Sequence, residues 1–156
     1  MALNVGDTAP NFTLHDTEKK PRSLKEFLGK KTVLVFYPGA FTGVCTKEMC
    51  AFRDSFSKFN EMNAQVVGIS VDSPYANKAF AHQNNLQFPL LSDFNRVAVK
   101  AYSIVLENFG GLTGYSVAKR SVFVLDKNGI IRFVWVSDDP GVVPNYDEVA
   151  KAVSSL

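Results

Sequence analysis

The chain has 156 residues, 46% of them hydrophobic and 21% charged, and this composition suits one globular domain covering residues 1–156. Its 17 basic and 15 acidic residues leave a net charge of +2, which is too small to favour nucleic acid or an anionic membrane as a partner. The chain opens without the charged and apolar segments of a secretion signal, and no window is apolar over the length of a bilayer, so we expect a cytoplasmic location.

The first strong pattern is a buried strand followed closely by a helix. Residues 32–36 (TVLVF) are apolar and β-branched, as in a central strand. Residues 45–62 come next, and their bulky apolar side chains recur at helical spacing, which predicts one amphipathic helix packed on the sheet. The side chains of this stripe are Met49, Phe52, Phe56, Phe59 and Met62.

The remaining patterns predict a mixed central sheet covered by helices. Further strands are expected at residues 65–70, 121–125 and 130–136, and further helices at 74–83, 94–102 and 146–153. An Asn-Gly turn separates the last two strands, so that pair should form an antiparallel hairpin. This order of elements is compatible with a thioredoxin-like α/β fold, and other α/β folds share it.

Both cysteines of the chain, Cys45 and Cys50, lie near the start of the predicted helix. If Thr42 is the N-cap, Cys45 occupies the third helical position, where free backbone amides and the helix dipole favour a thiolate over a thiol. The alternative is that Cys45 extends the apolar stripe as a small buried side chain. The pattern alone does not decide between these two interpretations.

Cys50 points to a different side of the helix from Cys45. Five residues rotate it by about 140° and separate the two Cα atoms by roughly 8 to 9 Å, more than the ~7 Å that a disulfide spans. A bond between the two sulfurs therefore requires local unwinding, which favours a redox pair with two conformations over a structural staple. We expect no metal site, because His15 and His82 lie far from the pair and lack ligand spacing.

A specific motif surrounds Cys45. It reads Pro38-x-x-x-Thr42-x-x-Cys45, comes directly after the first predicted strand, and is followed by Glu48. This motif resembles the active-site signature of the peroxiredoxins, which are thiol-dependent peroxidases of thioredoxin-like fold. The resemblance therefore implies a thioredoxin-like α/β fold and an oxidoreductase activity for this chain.

The resemblance extends over most of the chain. Residues 5–12 look like the opening segment of the family, and residues 88–93 look like its middle. Lys119 and Arg120 precede the strand predicted at 121–125 and resemble the position of the family's active-site arginine. Arg120 would supply the cation that a thiolate needs.

The family resemblance implies a role for each residue of the motif. Cys45 would be the peroxidatic cysteine, which attacks a peroxide oxygen and becomes a sulfenic acid. Thr42 and the Cys45 amide would hold the peroxide oxygens, and Arg120 would stabilise the thiolate and the developing charge. Pro38 would shield the sulfur from water, and Glu48 would orient the arginine. Each residue also has a plain structural interpretation, such as helix capping by Thr42.

The resemblance also implies the reaction partners. The substrate would be hydrogen peroxide or an alkyl hydroperoxide, the reductant a thioredoxin-like or glutaredoxin-like protein, and no cofactor or metal would be needed. A second cysteine five residues after the first is similar to the bacterioferritin comigratory proteins, also called peroxiredoxin Q, in which it resolves the sulfenic acid. Residues 38–42 and 108–119 look more like one-cysteine AhpE-type or peroxiredoxin-5-like relatives, so Cys50 or an outside thiol would resolve Cys45. We expect a monomer or a homodimer.

Other functions fit the sequence less well. A thioredoxin-like disulfide oxidoreductase would place the first cysteine of a Cys-x-x-Cys pair where Thr42 stands, so Thr42 argues against that class. A chaperone without enzymatic activity is not indicated by any apolar tract or repeat. A nucleotide enzyme would need a phosphate-binding loop, and Gly110, Gly111 and Gly114 lack the spacing of one.

Overall fold

The computed structural model describes residues 2–156, which form a seven-stranded mixed sheet, a small two-stranded sheet and helices around them. The strands are β1 (Thr13–His15), β2 (Pro21–Ser23), β3 (Lys31–Phe36), β4 (Ala64–Ser70), β5 (Leu90–Ser92), β6 (Val105–Leu106), β7 (Val117–Ala118), β8 (Ser121–Leu125) and β9 (Ile131–Val136). The helices are α1 (Leu24–Phe27), α2 (Gly43–Asp54), α3 (Phe56–Glu61), α4 (Pro74–Gln83), α5 (Val97–Ala101) and α6 (Tyr146–Ser154). A 3₁₀ turn covers Phe109–Gly111.

The strand order of the large sheet is β2-β1-β5-β4-β3-β8-β9. The β3–β4 and β4–β5 pairs are parallel, whereas the β3–β8 and β8–β9 pairs are antiparallel. Phe36, the last residue of β3, lies opposite Ile69 on one side and Ser121 on the other. This register brings the end of β3 and the start of β8 to the same edge of the sheet.

Alternate residues of the central strands pack into two cores on opposite faces of the sheet. In β3, Val33 and Val35 face the core that α2, α4 and α6 cover, while Leu34 and Phe36 face the core that α1 and α5 cover. Burial on both faces explains why the central strands read as continuous apolar runs. No helix within residues 2–156 has the length and apolar character needed to cross a membrane.

Helix α2 packs closely on the sheet because β4 has a glycine beneath it. A Cβ at Gly68 would lie 2.8 Å from Cε of Met49 and 2.6 Å from Cδ2 of Leu90, closer than carbon atoms approach. The missing side chain leaves room for Met49, which is fully buried. Gly68 therefore lets Met49 of the cysteine-bearing helix pack directly on β4.

The four strands predicted from apolar runs are confirmed, with differences of one residue at their starts. The antiparallel hairpin of β8 and β9 is also confirmed. The prediction omitted the short strands β1, β2, β5, β6 and β7, which are two or three residues long. Such segments are too short to show a period of two, and their pairing depends on neighbours distant in the sequence.

The single helix predicted at residues 45–62 is wrong in its extent. The structure has α2 and α3 in its place, separated at Ser55, whose ψ of 4° departs from the helical value. Asp54 and Ser55 both have low helix propensity because their side chains compete for backbone hydrogen bonds. The break leaves Phe59 buried but Phe56 and Met62 only partly buried.

The helix predicted at residues 94–102 is shorter than expected. Only Val97–Ala101 is helical, because Arg96 adopts a left-handed φ of 58° just before it. The buried Asp93 carboxylate accepts hydrogen bonds from the amides of Ala98 and Val99, at 3.1 and 2.8 Å. This side chain caps the first turn of α5 and excludes the preceding residues from it.

Candidate active site

The site is built where the chain leaves β3 and enters α2. Thr42 is the N-cap, with extended φ and ψ of −79° and 149°, and its carbonyl accepts the first helical hydrogen bond from Thr46 at 2.9 Å. Its hydroxyl does not cap the helix, because it donates to the Gly39 carbonyl at 2.8 Å. Cys45 is thus at the third helical position, as predicted, and its amide receives no cap from Thr42.

The sulfur of Cys45 contacts a buried guanidinium. Arg120 Nη2 donates to Cys45 Sγ at 3.2 Å, and the two residues are 1% and 0% exposed. Arg120 directly precedes β8, and the pairing of Ser121 with Phe36 brings it beside the loop that leads into α2. Cys45 is therefore a buried core residue, as the second of the two interpretations predicted. Its sulfur also lies next to a cation, which is the environment that a thiolate needs.

Two further acceptors hold the Arg120 side chain in place. Glu48 Oε1 accepts from Nη1 at 2.9 Å, and the Pro140 carbonyl accepts from Nη2 at 2.8 Å and from Nε at 3.1 Å. Pro140 follows β9 in a turn that Ser137 and Asp139 tie together through their own hydrogen bonds. The guanidinium is consequently fixed from two directions with one edge turned to the sulfur.

Glu48 is unusual for a glutamate in the first turns of a helix, because it is 0% exposed. Its burial raises its pKa to about 7, although the nearby Arg120 charge acts in the opposite direction. Its second oxygen, Oε2, has no hydrogen-bond partner among residues 2–156. Burial also acts against the charged form of Arg120, but Cys45 and Glu48 outweigh it and raise the pKa of the guanidinium.

Residues that the sequence did not single out hold the loop at positions 37–42. Asp72 Oδ2 accepts from the Ala40 amide at 2.7 Å, and the buried Tyr37 hydroxyl donates to Asn77 Oδ1 at 2.7 Å. Phe41 has a left-handed φ of 67°, and its ring meets the edge of Phe80 with centroids 5.3 Å apart. These contacts come from Asp72, just after β4, and from α4, so local sequence patterns carry no signal for them. Pro38 is buried in the same loop, as a shield of the sulfur requires.

Cys50 lies on the same helix but outside the buried stripe. Its thiol is free, half-buried, and donates to Asn84 Oδ1 across 3.7 Å. Arg53 lies on the same flank of α2 and donates to the Asn84 carbonyl at 2.8 Å. Because α2 is continuous from Gly43 to Asp54, the two cysteines are not bonded here, and a disulfide would require this part of the helix to unwind.

The histidines lie away from this constellation. The His15 ring packs against Phe94, and His82 lies in the last turn of α4. Within the described part of the chain, no three His, Cys, Asp or Glu side chains are grouped as metal ligands would be. The chemistry that the site supports is that of a sulfur nucleophile beside a fixed cation and a helix N-terminus.

Comparison with known proteins gives a consistent result. Residues 5–134 match the AhpC/TSA family. The chain is 44% identical over 154 residues to chloroplastic peroxiredoxin Q of Sedum lineare, covering 99% of this chain and 80% of that protein. It is 41% identical over 154 residues to chloroplastic peroxiredoxin Q of Populus jackii, covering 99% and 70%.

Solved structures give the same picture. A mutant of PrxQ from Xylella fastidiosa aligns with a TM-score of 0.87 at 26% identity, covering 99% of this chain and 98% of that one. The peroxidoxin BcpB of Mycobacterium tuberculosis aligns with a TM-score of 0.84 at 33% identity, covering 97% of each chain. The predicted thioredoxin-like α/β fold, with a mixed sheet covered by helices, is confirmed.

Proposed function

The chain belongs to the AhpC/TSA family, the peroxiredoxins, and is a thiol-dependent peroxidase; from this premise we propose that Cys45 is the sulfur that the peroxide oxidises. The observation that supports this assignment best is the hydrogen bond of 3.2 Å from Arg120 to Cys45 Sγ. A cation at that distance favours the thiolate, which is the nucleophilic form of cysteine. A cysteine that only filled the core would gain nothing from a buried arginine, whose desolvation is costly.

The groups around the sulfur are suited to hold a peroxide in line with it. The Cys45 amide lies at the positive end of α2 and is not capped, so it is a donor for a peroxide oxygen. The Thr42 hydroxyl already donates to Gly39, so its lone pairs are the part of the group that would accept the peroxide hydrogen. Arg120 would stabilise the negative charge that develops on the leaving oxygen. Pro38, which is buried in the loop before α2, would limit the access of water.

The first chemical step forms a sulfur–oxygen bond and breaks the oxygen–oxygen bond. The Cys45 thiolate attacks the terminal oxygen of the hydroperoxide, and the other oxygen leaves as hydroxide or alkoxide. The sulfur gives the electron pair and becomes a sulfenic acid, while the leaving oxygen takes up one proton and departs as water or an alcohol. Glu48 acts in this step by holding Arg120 through the bond of 2.9 Å to Nη1.

We further propose that Cys50 resolves the sulfenic acid. Its thiol would attack the Cys45 sulfur, forming a disulfide and releasing water. Two facts support this role: Cys50 is the only other cysteine in the sequence, and its side chain is half-buried outside the packed stripe of α2. A thioredoxin-like or glutaredoxin-like dithiol would then reduce the disulfide, and local unwinding of α2 would accompany each turnover.

The cellular setting follows from this chemistry as a proposal. A protein whose disulfide must be reduced by a dithiol partner works in a reducing compartment, which supports the predicted cytoplasmic location. The relatives named above are chloroplastic plant proteins, so a plastid-like compartment is the alternative. Residues 1–156 would act as one domain, as a monomer or homodimer, on hydrogen peroxide or alkyl hydroperoxides.

Mass spectrometry of the peroxide-treated protein tests these assignments. One equivalent of hydrogen peroxide should produce a disulfide between Cys45 and Cys50 in the wild type, a sulfenic acid on Cys45 in Cys50→Ser, and no rapid oxidation in Cys45→Ser. Rapid oxidation of the Cys45→Ser protein would remove Cys45 from the mechanism. Unchanged turnover of Cys50→Ser with a thioredoxin-like reductant would instead assign resolution to an outside thiol.

A further inference from the structure

Two acidic groups share one cation in the buried part of the site. Arg120 donates to Cys45 Sγ at 3.2 Å through Nη2 and to Glu48 Oε1 at 2.9 Å through Nη1. All three side chains are at most 1% exposed. A single guanidinium neutralises one anion, so a thiolate and a carboxylate together would leave one negative charge buried without compensation.

Such a charge is costly, and among residues 2–156 the N-terminal amides of α2 offer it only a partial compensation. An acid buried in that position takes up a proton instead. Glu48 Oε2 lacks a hydrogen-bond partner within the described residues. A buried carboxylate anion would need such partners, so this observation favours the neutral carboxyl group. The raised pKa of Glu48, about 7, has the same cause, namely burial.

The other titratable groups near this pair do not carry a compensating charge. Tyr146 of α6 and Tyr37, which follows β3, both interact with Glu48 electrostatically, and burial raises the pKa of each phenol, so both are neutral. The Tyr146 hydroxyl is itself buried without a partner among residues 2–156. The balance of charge therefore depends on Cys45, Glu48 and Arg120.

We propose that Cys45 and Glu48 share one proton, which resides on Glu48 while the sulfur is a thiolate and leaves Glu48 when the sulfur is oxidised. This inference deepens the function proposed above and rests on Cys45 being the peroxidatic cysteine. Glu48 is then more than a positioning residue for Arg120, because it stores the proton that the leaving oxygen needs.

The proposed step balances in atoms, electrons and charge. Before the reaction the cluster holds a thiolate, a guanidinium and a neutral carboxyl group, with a net charge of zero. The thiolate attacks the peroxide, the oxygen–oxygen bond breaks, and the leaving oxygen takes a proton from water in the site, to which Glu48 gives its own. Afterwards the cluster holds a neutral sulfenic acid, the guanidinium and a carboxylate, so its net charge is again zero. The peroxide oxidises the sulfur, and no proton is taken from bulk solvent.

Proton counting during a single oxidation tests this directly. The protein is mixed with hydrogen peroxide in a stopped-flow instrument with a pH indicator, at a pH at which the reduced protein shows thiolate absorbance. We expect the wild type to take up much less than one proton for each sulfur oxidised, and Glu48→Gln to take up about one. The thiolate absorbance of the reduced protein is measured at the same pH, because a neutral thiol would also give zero uptake. Disulfide formation that follows releases only water and leaves the count unchanged.

The outcomes separate this inference from the function on which it depends. Fast oxidation with a full proton taken up by the wild type overturns proton sharing and leaves the peroxidase intact. Zero uptake without thiolate absorbance overturns it as well, since the proton would then be on the sulfur. Absence of any fast oxidation would contradict the assignment of Cys45 instead.

The Cys45→Ser protein provides a second test that does not depend on activity or on the Glu48 variant. Without the competing thiolate, Glu48 has Arg120 to itself, and its carboxyl should ionise at lower pH than in the wild type. Carbon-13 NMR titration of glutamate carboxyl groups in the two folded proteins measures this directly. An identical Glu48 titration in both proteins would show that the two acids do not share a proton.

Discussion

Replacing Arg120 by lysine keeps the positive charge but removes the planar fork that joins Cys45, Glu48 and Pro140. In the structure four hydrogen bonds from three nitrogens reach these acceptors, at 3.2, 2.9, 2.8 and 3.1 Å. An ammonium group is a single point donor and does not reproduce this geometry. If the lysine ammonium group donates to Glu48 and to the Pro140 carbonyl, which are the shorter contacts of Arg120, Cys45 Sγ loses its hydrogen-bond donor.

The size of the effect follows from the lost contact. Removal of one preorganised donor that faces developing negative charge typically slows a reaction by about 10²- to 10³-fold, or ~2.7 to 4 kcal/mol. Because lysine retains the charge nearby, we expect the lower end of this range for Arg120→Lys, about 10²-fold. Arg120→Met removes the charge as well and should reach the upper end or exceed it.

The assay is the second-order rate constant of sulfur oxidation by hydrogen peroxide in stopped flow. Trp135, the single tryptophan, packs against the core that contains Cys45 and is the optical probe. Rates are expressed per folded molecule, with Arg132→Lys as the matched control, since Arg132 is exposed and bonds Asp126. A rate for Arg120→Lys within about threefold of both wild type and control would show that the guanidinium does not act in the transition state.

Two further predictions concern neighbouring groups. Thr42→Val should lower the rate of peroxide reaction by about 10- to 100-fold, whereas Thr42→Ser should keep most of the rate because the hydroxyl remains. Equal rates for the two variants would show that this hydroxyl does not act in the mechanism. Glu48 has a raised folded-state pKa of about 7 against 4.5 for an ordinary carboxyl, so the folded protein binds the proton more tightly. The free energy of unfolding should therefore fall as pH rises between these values, by at most about 1.4 kcal/mol per pH unit, and urea denaturation of Glu48→Gln should show a flatter profile.

The sequence predicted those elements of the fold that have a clear local pattern of apolar residues. The central strands are continuous apolar runs because both faces of the sheet are covered, and the start of α2 shows in the loop residues before it. The short strands β1 and β2, three residues each, have no such run and form only because they pair with each other and, through β1, with β5. The break at Ser55 was missed because an apolar stripe continues on both sides of it.

The sequence predicted which residue types the site contains, but not which of them meet in space. Cys45 and Arg120 lie 75 positions apart, and only a likeness to a family, not spacing, indicated that they meet. The carbonyl of Pro140 accepts two hydrogen bonds from Arg120, yet a backbone oxygen gives no signal in a sequence. Glu48 is fully buried and interacts with Arg120 and Tyr146, which are distant in the sequence, so its raised pKa could not be predicted from the sequence either.

The chemistry at Cys45 is coupled to the stability of the helix that bears it. Arg120 holds α2 through two of its side chains, Cys45 and Glu48, one turn apart. A sulfenic acid is neutral and accepts a weaker hydrogen bond than a thiolate, so oxidation loosens one of these two attachments. Met49 and Phe52 remain buried and oppose unwinding, whereas Cys50 is half-buried and makes a long contact of 3.7 Å to Asn84. In the proposed cycle, oxidation therefore weakens the attachment of Cys45 while the bond from Arg120 to Glu48 remains, at the stage when Cys50 would approach Cys45.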